Sequence, residues 1–581
     1  MLTRANKITA LLVTAASLMS VAPAMAATTQ KLETKDGTVE NAVAYKDGKY
    51  VYEGYKSNSD NEGIYYTAGG KDKLLEDVSS ANLGESNYTT AYEGKYATAL
   101  DGNDEYLIDL SSGSVVGDNT AGDKKDTATI KLKSALKKTD RYGNTATINS
   151  LAQITSGPKF GDVWYSYTAT PTTRQGNSTT TGNLYGYTNQ TGTYIDASNL
   201  ANIYAYSTTK GKVVKIDEFD KTDSSTGLTA TITAAPVVLT QDKDYIYAKV
   251  EVNITDNNTK SIVTGTKTTA TATTGTVTHR TYIQKISKSE GDKKDVAYLP
   301  KSVDSYEVTT GEFNCSNATD AKTAIGNATS YSVVNGQLLA LYNSGSNVKV
   351  TSINLKKDKV NYSVAPATSS GSSFGTSDKV DIYLAEKDNS DNVDVSSDGT
   401  AYDVDVDGNF WVVSKGKIYK FQNNTMTKVY TCDSSLNSIS VYDTSNLITW
   451  KKDGNIYTTI NSGTAAAATG ATTVVAPVTT VKTGWDKLAN GAWNFYDLTG
   501  AKVASKWVNA GGVWYYLKAD GVMATGWLND SGTWYYLNSS GAMKTGWLND
   551  NGTWYYLNSN GSMAANTVIN GYRLSSSGAL A

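Results

Sequence analysis

The chain has 581 residues, of which 39% are hydrophobic and 19% charged, so it is long enough for several domains with buried cores. Its formal net charge is -3, which argues against a nucleic-acid partner because such proteins present a basic face. The single His, His279, excludes a metal site built from two histidines. The 40 Tyr and 50 Gly, with many Thr, Val, Asn and Asp, predict an all-β chain of strands and tight turns.

Residues 1–26 have the pattern of a secretory signal peptide. Arg4 and Lys7 precede an apolar stretch from Ile8 to Val21, and the small residues of Ala24-Met25-Ala26 follow it. A membrane anchor is the less favoured reading, because this apolar stretch is short for a span and is interrupted by polar residues. We therefore predict a secreted, extracellular protein with no membrane span after the signal is cleaved.

Residues 27–461 form one block in which aromatic and β-branched runs alternate with turn residues. The stretch "FWVVSKGKIYKF" from Phe410, for example, is typical of two strands joined by a tight turn. Trp164, Tyr204 and Tyr245 follow one another at intervals of about 40 residues, a period typical of propeller blades. The block is therefore interpreted as a large β-propeller-like domain, with a pair of β-sandwich domains as the alternative.

Two local features of this block do not belong to the strand pattern. The stretch "IKLKSALKKTDRYG" from Ile130 predicts a short helix. Cys315 and Cys432 lie far apart in the sequence, and they either pair or are two ordinary small buried residues.

The stretch "YDVDVDGNFWVV" from Tyr402 is the one candidate for a metal site. Asp403, Asp405 and Asp407 precede a Gly at the spacing that begins a calcium loop. An EF-hand is excluded because the twelfth position is Ser414 rather than Glu. A hairpin turn at Asp407-Gly408 is the favoured reading, and calcium is a weak alternative.

No nucleophile, phosphate or cofactor motif stands out in the block, so no cofactor is predicted. Ser-His-Asp chemistry would have to use His279, which lies in a Thr-rich stretch typical of an exposed turn or strand edge. A glycoside hydrolase or lyase needs only two of the 56 acidic residues, so an enzyme remains an open alternative to a binding protein.

Residues 462–483 are small and mostly uncharged, a composition that predicts a linker. The alternative is a buried β-edge through Val474 and Val475.

From Gly484 the chain changes character, because eight of its 11 Trp lie in residues 484–581. The stretch "TGWLNDSGTWYYLN" from Thr525 recurs almost unchanged from Thr545, which predicts hairpins of about 20 residues stacked as a solenoid with atypical end units. Each unit carries a first Trp, a second Trp and an aromatic pair. The first Trp are Trp485, Trp507, Trp527 and Trp547, and the second are Trp493, Trp514, Trp534 and Trp554.

These rings are candidates for a binding surface as well as for the solenoid core. Tyr515, Tyr535 and Tyr555 are interpreted as residues of the solenoid core. A cage of aromatic faces suits a quaternary ammonium, which cannot donate hydrogen bonds, and each ring contributes about 0.5–1 kcal/mol when exposed and roughly 2 when desolvated. The same rings could stack on sugars instead.

The unit "GWLNDSGTWYYLNSSGAMKTGW" resembles the choline-binding or cell-wall-binding repeat of Gram-positive surface proteins, and is similar to carbohydrate-binding repeats of large clostridial toxins. The resemblance covers the C-terminal repeats only. In that family two Trp of one hairpin and a Tyr of the next form each choline site, often with a Met nearby. Transferred to this sequence, the resemblance implies three cages: Trp507, Trp514 and Tyr536; Trp527, Trp534 and Tyr556; Trp485, Trp493 and Tyr516. Met543, like Met523 and Met563, either lines a cage or fills a gap in the solenoid core.

In this transfer Trp547 and Trp554 have no third ring, because Arg573 stands at the position of the second Tyr. The last unit is therefore predicted to be a cap without a site of its own.

The resemblance implies a secreted surface protein held non-covalently on the cell wall through choline-decorated teichoic acid or wall polysaccharide. The β-propeller-like domain would then be displayed outward as a binding domain. Two alternatives stay open: a wall-associated glycoside hydrolase or lyase, and a toxin-like binder of foreign glycans.

Overall fold

The computed structural model divides the chain into two compact units, Met1–Ala465 and Ala466–Ala581. The structure describes the following residues: 30–56, 61–84, 91–158, 161–172, 184–207, 210, 212–256, 262–264, 267–269, 276–308, 318–364, 374–394, 401–461, 484–488, 492–496, 502–510, 513–530, 532–550, 552–558, 560–569 and 571–580. The predicted signal peptide, the predicted linker and Cys315 lie outside these residues.

The first unit is built from β-strands, as its alternation of Tyr, Val and Thr with turn residues predicts. Its first three sheets, A, B and C, follow one another along the chain. Sheet A has the strands Thr38–Ala44, Tyr50–Tyr55, Gly63–Ala68 and Lys71–Leu74 in that order. Sheet B has the order Val115–Val116, Asp104–Asp109, Tyr96–Asp101 and Asn82–Leu83, with Ala91–Tyr92 also paired to Tyr96–Asp101. Sheet C has the order Thr147–Gln153, Trp164–Thr170, Leu184–Asn189 and Tyr194–Asp196.

A nine-stranded sheet, D, is formed by strands between residues 228 and 394, and three two-stranded ribbons lie before or within this stretch of the sequence. Sheet D has the order Leu228–Ile232, Tyr245–Asp256, Thr276–Ser287, Val303–Glu307, Phe374–Asp394, Asn347–Val364, Gln337–Ser344 and Ser330–Val334, with Val237–Gln241 also paired to Tyr245–Asp256. The ribbons pair Leu200–Ser207 with Lys212–Glu218, Ile262–Thr264 with Lys267–Thr269, and Glu290–Lys294 with Ala297–Pro300.

The last two sheets, E and F, each take one strand from the beginning of the chain. Sheet E has the order Gln30–Lys31, Thr425–Thr431, Lys417–Gln422, Phe410–Ser414 and Ala401–Val404. Sheet F has the order Lys35–Asp36, Ile456–Asn461, Asn446–Trp450 and Ser438–Asp443. Gln30–Lys31 pairs in parallel and Lys35–Asp36 antiparallel. Leu32, between them, is 5% exposed and donates its backbone N–H to the Thr431 carbonyl at 2.8 Å.

Each sheet of the first unit shares a buried hydrophobic cluster with the next, and sheet F shares one with sheet A. In order from A to F, the members that two neighbouring sheets bring to a shared cluster include Val51 and Ile108, Leu107 and Tyr165, Trp164 and Ile246, Leu339 and Phe410, and Trp411 and Leu447. Ile448 and Trp450 of sheet F then pack in one cluster with Tyr50 and Tyr52 of sheet A. The core therefore lies between sheets, and the sheet that ends the unit covers the sheet that begins it.

Two α-helices and one short 3₁₀ helix interrupt the described strands: α1 at Ala121–Leu136, α2 at Ala318–Asn327 and the 3₁₀ helix at Glu76–Val78. Helix α1 begins nine residues before the predicted start at Ile130. Thr120 and Asp123 form a capping box at its N-terminus, which satisfies backbone N–H groups that the helix leaves unpaired. The first turns are polar, so the apolar pattern showed the helix only from its middle. None of the helices that the structure describes has the length and apolar character to cross a membrane.

The Asp403–Asp407 stretch is a turn held by its own hydrogen bonds. Asp405 is 1% exposed, and its carboxylate accepts from the backbone N–H of Asp407 at 3.0 Å and of Asn409 at 2.9 Å. It also accepts from the Trp411 indole at 2.9 Å and pairs with the Lys420 ammonium at 3.0 Å.

The outer two carboxylates of that stretch have different surroundings. Asp403 accepts from the Val441 N–H at 2.7 Å, and burial, followed by the charge of Asp405, raises the pKa of Asp407. Within the described ranges no group of three or more His, Cys, Asp or Glu is arranged to hold a metal ion. These contacts support the hairpin-turn reading of the stretch.

Among the described residues of the second unit there are five antiparallel hairpins, which we number 1 to 5. They pair Gly484–Lys487 with Trp493–Tyr496, Lys506–Ala510 with Val513–Leu517, Gly526–Asp530 with Thr533–Leu537, Gly546–Asp550 with Thr553–Leu557, and Val568–Ile569 with Tyr572–Arg573. Leu517, Leu537 and Leu557 are 0% exposed, so one Leu of each regular hairpin is fully buried. The predicted hairpin repeats are thus present in the structure.

Candidate functional site

Each regular hairpin has two chemically different faces. In hairpin 3, Trp527 pairs across the strands with Tyr536, and Asn529 pairs with Trp534. Because side chains alternate along a strand and paired residues share a face, Trp527, Trp534 and Tyr536 lie on one face. Leu528 pairs with Tyr535, and both lie on the opposite face. We call the first the tryptophan face.

The hairpins stack with the tryptophan face of one against the opposite face of the next. The Trp507 ring lies edge-on to Tyr535 of the following hairpin, with the ring centroids 4.8 Å apart, and Trp527 meets Tyr555 in the same way at 4.8 Å. Trp485 meets Tyr515 at 4.8 Å, and Trp547 meets Tyr572 at 5.5 Å. Edge-to-face contacts at these distances are favourable for aromatic rings.

The stacking produces four sets of rings, one in each of the four junctions between hairpins. We call them ring clusters 1 to 4, each with two Trp of one hairpin and one Tyr of the next. Their members are Trp485, Trp493 and Tyr515; Trp507, Trp514 and Tyr535; Trp527, Trp534 and Tyr555; Trp547, Trp554 and Tyr572.

The eight Trp of the repeats all belong to these clusters, but the third ring differs from the one implied by the family resemblance. Tyr536, expected beside Trp507, packs on Trp527 of its own hairpin at 5.2 Å. Tyr556 likewise packs on Trp547 at 5.2 Å, and Tyr516 on Trp507 at 5.3 Å. The physical reason is the direction of stacking: the second Tyr shares the tryptophan face and points toward the following hairpin.

Consequently, the ring that reaches the preceding hairpin is the first Tyr of each pair. The tyrosines interpreted as core residues, Tyr515, Tyr535 and Tyr555, are the ones that meet the preceding Trp. Strand alternation placed the two tyrosines on opposite faces, but it did not indicate which face meets which neighbour.

The last hairpin supplies a ring that the sequence analysis missed. Arg573 stands where the second Tyr would be, and the preceding residue, Tyr572, meets Trp547. Tyr572 is 56% exposed, and Trp554 of the same cluster is 44% exposed, so cluster 4 is open to solvent. The signal that could have found it is the "YR" dipeptide aligned with the "YY" of other units.

Cluster 1 keeps the geometry of the others despite its longer turn. Trp493 pairs across from Lys487, two residues after Trp485, as Trp534 pairs across from Asn529, two residues after Trp527. The Trp485 and Trp493 centroids are 6.4 Å apart, against 6.3 Å for Trp527 and Trp534. The register of the rings is therefore the same, although Trp493 follows Trp485 by eight residues and Trp534 follows Trp527 by seven.

Backbone hydrogen bonds connect the units through the second Trp. The Trp493, Trp514 and Trp534 carbonyls accept from the N–H groups of Met523, Met543 and Met563 at 2.8, 2.8 and 2.7 Å. The Trp554 carbonyl accepts from Leu580 at 2.8 Å. Since these bonds use main-chain atoms, the second Trp can hold the stack together while its ring remains exposed.

The repeat methionines fill space between the turns of successive units. A Cβ added to Gly561 would lie 2.3 Å from Sδ of Met543, and one added to Gly541 would lie 2.2 Å from Sδ of Met523. Met543, implied as a cage residue by the resemblance, therefore packs on the turn of the next unit. This position fits a packing role and does not depend on a ligand.

This packing predicts that Gly541→Ala weakens the repeat stack. Gly541 has a φ of +83° and Met523 blocks its Cβ position, whereas Gly526 has a φ of +76° and no atom within 4 Å of that position. We expect Gly526→Ala to cost about 1–2 kcal/mol from backbone strain, and Gly541→Ala a further 1–3 from overpacking. Urea unfolding followed by Trp fluorescence reports mainly on the repeats and measures both.

Shortening the methionine provides the control for this prediction. Met523→Ala in the Gly541→Ala chain should recover the overpacking part of the loss. Equal destabilisation by the two glycine substitutions would contradict the packing that the structure gives to Met523.

Of the two Trp in each cluster, the second is the more accessible. Trp493, Trp514, Trp534 and Trp554 are 36%, 45%, 43% and 44% exposed, while the first Trp are partly buried in the stack. Residues 484–581 contain five acidic and six basic side chains, so no strong net charge selects a ligand there. Accessible π-faces at the junctions between hairpins favour a ligand that is cationic and apolar at once, or the flat face of a sugar.

Comparison with known protein families matches the model described as "Choline-binding repeat" to residues 503–546 and 524–567. These stretches contain hairpins 2, 3 and 4. The C-terminal unit carries choline-binding repeats. A search of curated protein sequences finds no match to the chain.

Solved structures similar to this chain include three from pneumococcal systems. The choline-binding domain of Spr1274 from Streptococcus pneumoniae is 45% identical over 14% of this chain and 95% of that one, with a TM-score of 0.13. A multimodular cell-wall endolysin of phage Cp-1, complexed with choline, is 28% identical over 22% of this chain, with a TM-score of 0.14. The modular autolysin LytC of S. pneumoniae is 29% identical over 17% of this chain and 28% of that one, with a TM-score of 0.12. The match spans a third of the endolysin, 33% of its length.

Proposed function

We propose that ring clusters 1 to 4 bind choline groups and thereby hold the protein on a bacterial cell wall. The observation that carries the proposal is the arrangement of exposed Trp faces around each junction of choline-binding repeats. Three rings at about 0.5–1 kcal/mol each, or roughly 2 when desolvated, provide a weak but usable site for one trimethylammonium group.

Attachment to the wall follows from repetition and not from tight binding at one site. A single site worth about 4 kcal/mol has a Kd near 1 mM. When several such sites engage a polymer that displays many copies of the ligand, avidity exceeds the single-site affinity by about 10²–10⁴. Choline-decorated teichoic acid is the polymer we propose, with wall polysaccharide as the second candidate because the same rings can stack on sugars.

For the first unit we propose a β-propeller-like domain that binds a sugar or a protein outside the cell. Two observations support it: successive sheets pack on one another in chain order, and strands at residues 30–36 complete the last two sheets. The location we propose is the outer face of the wall, after export through the predicted signal peptide at residues 1–26.

A wall-associated glycoside hydrolase or lyase has less support. Burial raises the pKa of Asp304 and of Asp407, but these carboxyls belong to different sheets, D and E. Neither carboxyl is among the charges that shift the pKa of the other, so the two give no support to a carboxyl pair of the kind that glycoside hydrolysis uses. The enzyme alternative therefore remains a hypothesis.

Retention of the full chain on immobilised choline, followed by competitive elution, tests the proposed ligand. We expect the chain to bind the column and to elute with free choline but not with wall sugars. Passage through the choline column, with retention on wall polysaccharide that choline does not reverse, would overturn the choline assignment. Retention on foreign glycans alone would favour the toxin-like alternative.

A further inference from the structure

Two of the four ring clusters have a carboxylate at their edge. The Trp507 indole N–H donates to Oδ2 of Asp530 in the next hairpin at 2.9 Å, and Trp527 donates to Oδ2 of Asp550 at 2.9 Å. Each Asp thus contacts the first Trp of the preceding hairpin, the ring that also meets Tyr535 or Tyr555. Both hydrogen bonds are partly buried.

The equivalent position carries no acid in the other two clusters. Asp530 pairs with Thr533 at the end of its hairpin, and Ala510 pairs with Val513 at the same place in hairpin 2, which faces Trp485. Hairpin 5, which faces Trp547, has shorter strands, and the pair next to its turn joins Ile569 to Tyr572, so no acid stands at that place either. The described hairpins therefore provide two clusters with a carboxylate and two without.

A carboxylate at this place strengthens the binding of a cation in two ways. A cation on the indole face lies within roughly 6 Å of the ring centroid, and the Asp oxygen lies 2.9 Å from the indole nitrogen at the edge of that ring. The two charges are therefore separated by about one Debye length, about 8 Å at physiological salt, and still attract each other. In addition, an indole N–H that donates to an anion is polarised toward the ring, which makes the π-face more negative. Neither effect acts on a neutral ligand of the same shape.

We propose that Asp530 and Asp550 are specificity-determining residues that make ring clusters 2 and 3 selective for cations, and that clusters 1 and 4 hold the same ligand more weakly. The proposal rests on the proposed function of the clusters, and it adds which sites are strong and why a charged ligand is preferred over a sugar. The near-verbatim repeat "GWLND" of hairpins 3 and 4 preserves this Asp together with the rings.

Asp→Asn substitutions separate the charge from the hydrogen bond. Asparagine retains a side-chain oxygen that accepts from the indole N–H, so the ring stays in place while the charge is lost. The full chain, the Asp530→Asn and Asp550→Asn double variant, and the control Asp520→Asn would be titrated with choline and with its neutral isostere 3,3-dimethyl-1-butanol. Asp520 is an exposed acid of the same unit, and it accepts from the Val522 N–H in a turn.

We expect the double variant to bind choline about tenfold more weakly at its two stronger sites, with the loss shrinking at high salt. Its affinity for 3,3-dimethyl-1-butanol should match that of the parent chain. The control Asp520→Asn should bind both ligands with the affinity of the parent chain. Unchanged choline binding by the double variant, or an equal loss for both ligands, would overturn the inference while leaving choline binding intact. Failure of the parent chain to bind choline would overturn the proposed function as well.

Discussion

A full-length chain carrying Trp514→Ala, Trp534→Ala and Trp554→Ala is expected to fold normally and to pass unretained through immobilised choline. Each substitution removes one of three rings from clusters 2, 3 and 4, at a cost of about 1–2 kcal/mol per site. That cost corresponds to roughly a tenfold loss at each site, and avidity compounds the losses because the sites act together. Cluster 1 alone has no second site with which to share the polymer.

The fold should survive these substitutions for two reasons. The three rings are 45%, 43% and 44% exposed, so little apolar surface leaves the core. Their carbonyls, which an Ala retains, accept the hydrogen bonds from Met543, Met563 and Leu580 that connect the units. Circular dichroism and the unfolding midpoint of each chain would verify the fold before retention is compared.

A matched control removes three exposed apolar side chains that lie outside the clusters. Ile130, Val237 and Val568 are 70%, 54% and 60% exposed, and their replacement by Ala should leave retention unchanged. A folded triple Trp variant that is retained like the parent chain would show that the rings are not the anchor.

A chain that begins at Gly37, without the two strands at the start of the described chain, is expected to lose much of the stability of its first unit. The strand Gln30–Lys31 is an edge of sheet E, and Lys35–Asp36 is an edge of sheet F. The truncation also removes the buried Leu32, which exposes the apolar residues that pack against it. It deletes the hydrogen bonds from the Leu32 N–H to the Thr431 carbonyl and from Thr458 Oγ1 to the Glu33 carbonyl. The lost apolar burial and the lost hydrogen bonds together should lower the free energy of unfolding of the first unit by an amount on the order of 5 kcal/mol.

Urea unfolding of the truncated chain, beside a chain beginning at Ala27, measures this loss. Lys31→Ala is the control, because it alters an exposed side chain and leaves the backbone pairing intact. Leu32→Ala should lower the free energy of unfolding by about 2–5 kcal/mol, more than Lys31→Ala and less than the truncation. If the truncated chain unfolds at the same urea concentration as the longer one, the first unit is not closed by its N-terminal strands, and the propeller proposal loses its main support.

The hairpins of the second unit were predictable because their information is local. Gly, Asn and Asp mark the turns, alternation assigns the faces, and the near-identical copies fix the unit length. The contact between Trp507 and Tyr535 was not predictable in this way, because it depends on which face of one hairpin covers the next. A single repeat is compatible with either direction of stacking. That direction decides whether Tyr535 or Tyr536 contacts the Trp of the preceding hairpin.

The first unit shows the same division between local and long-range information. The Asp407-Gly408 turn follows from its residues, and Asp405 serves as the acceptor that holds the turn together. The pairing of Gln30–Lys31 with Thr425–Thr431 joins residues about 400 positions apart, and no local pattern marks it. A regular period of about 40 residues could not describe the nine-stranded sheet D, whose strands Asn347–Val364 and Phe374–Asp394 are far longer than a blade strand.

The most direct test of the central claim is a crystal structure of the chain grown with choline. The account predicts trimethylammonium density enclosed by Trp527, Trp534 and Tyr555 in cluster 3, and by the corresponding rings of cluster 2. Choline bound elsewhere, with no ligand density among the rings of the clusters, would contradict the assignment of the ring clusters as the binding sites.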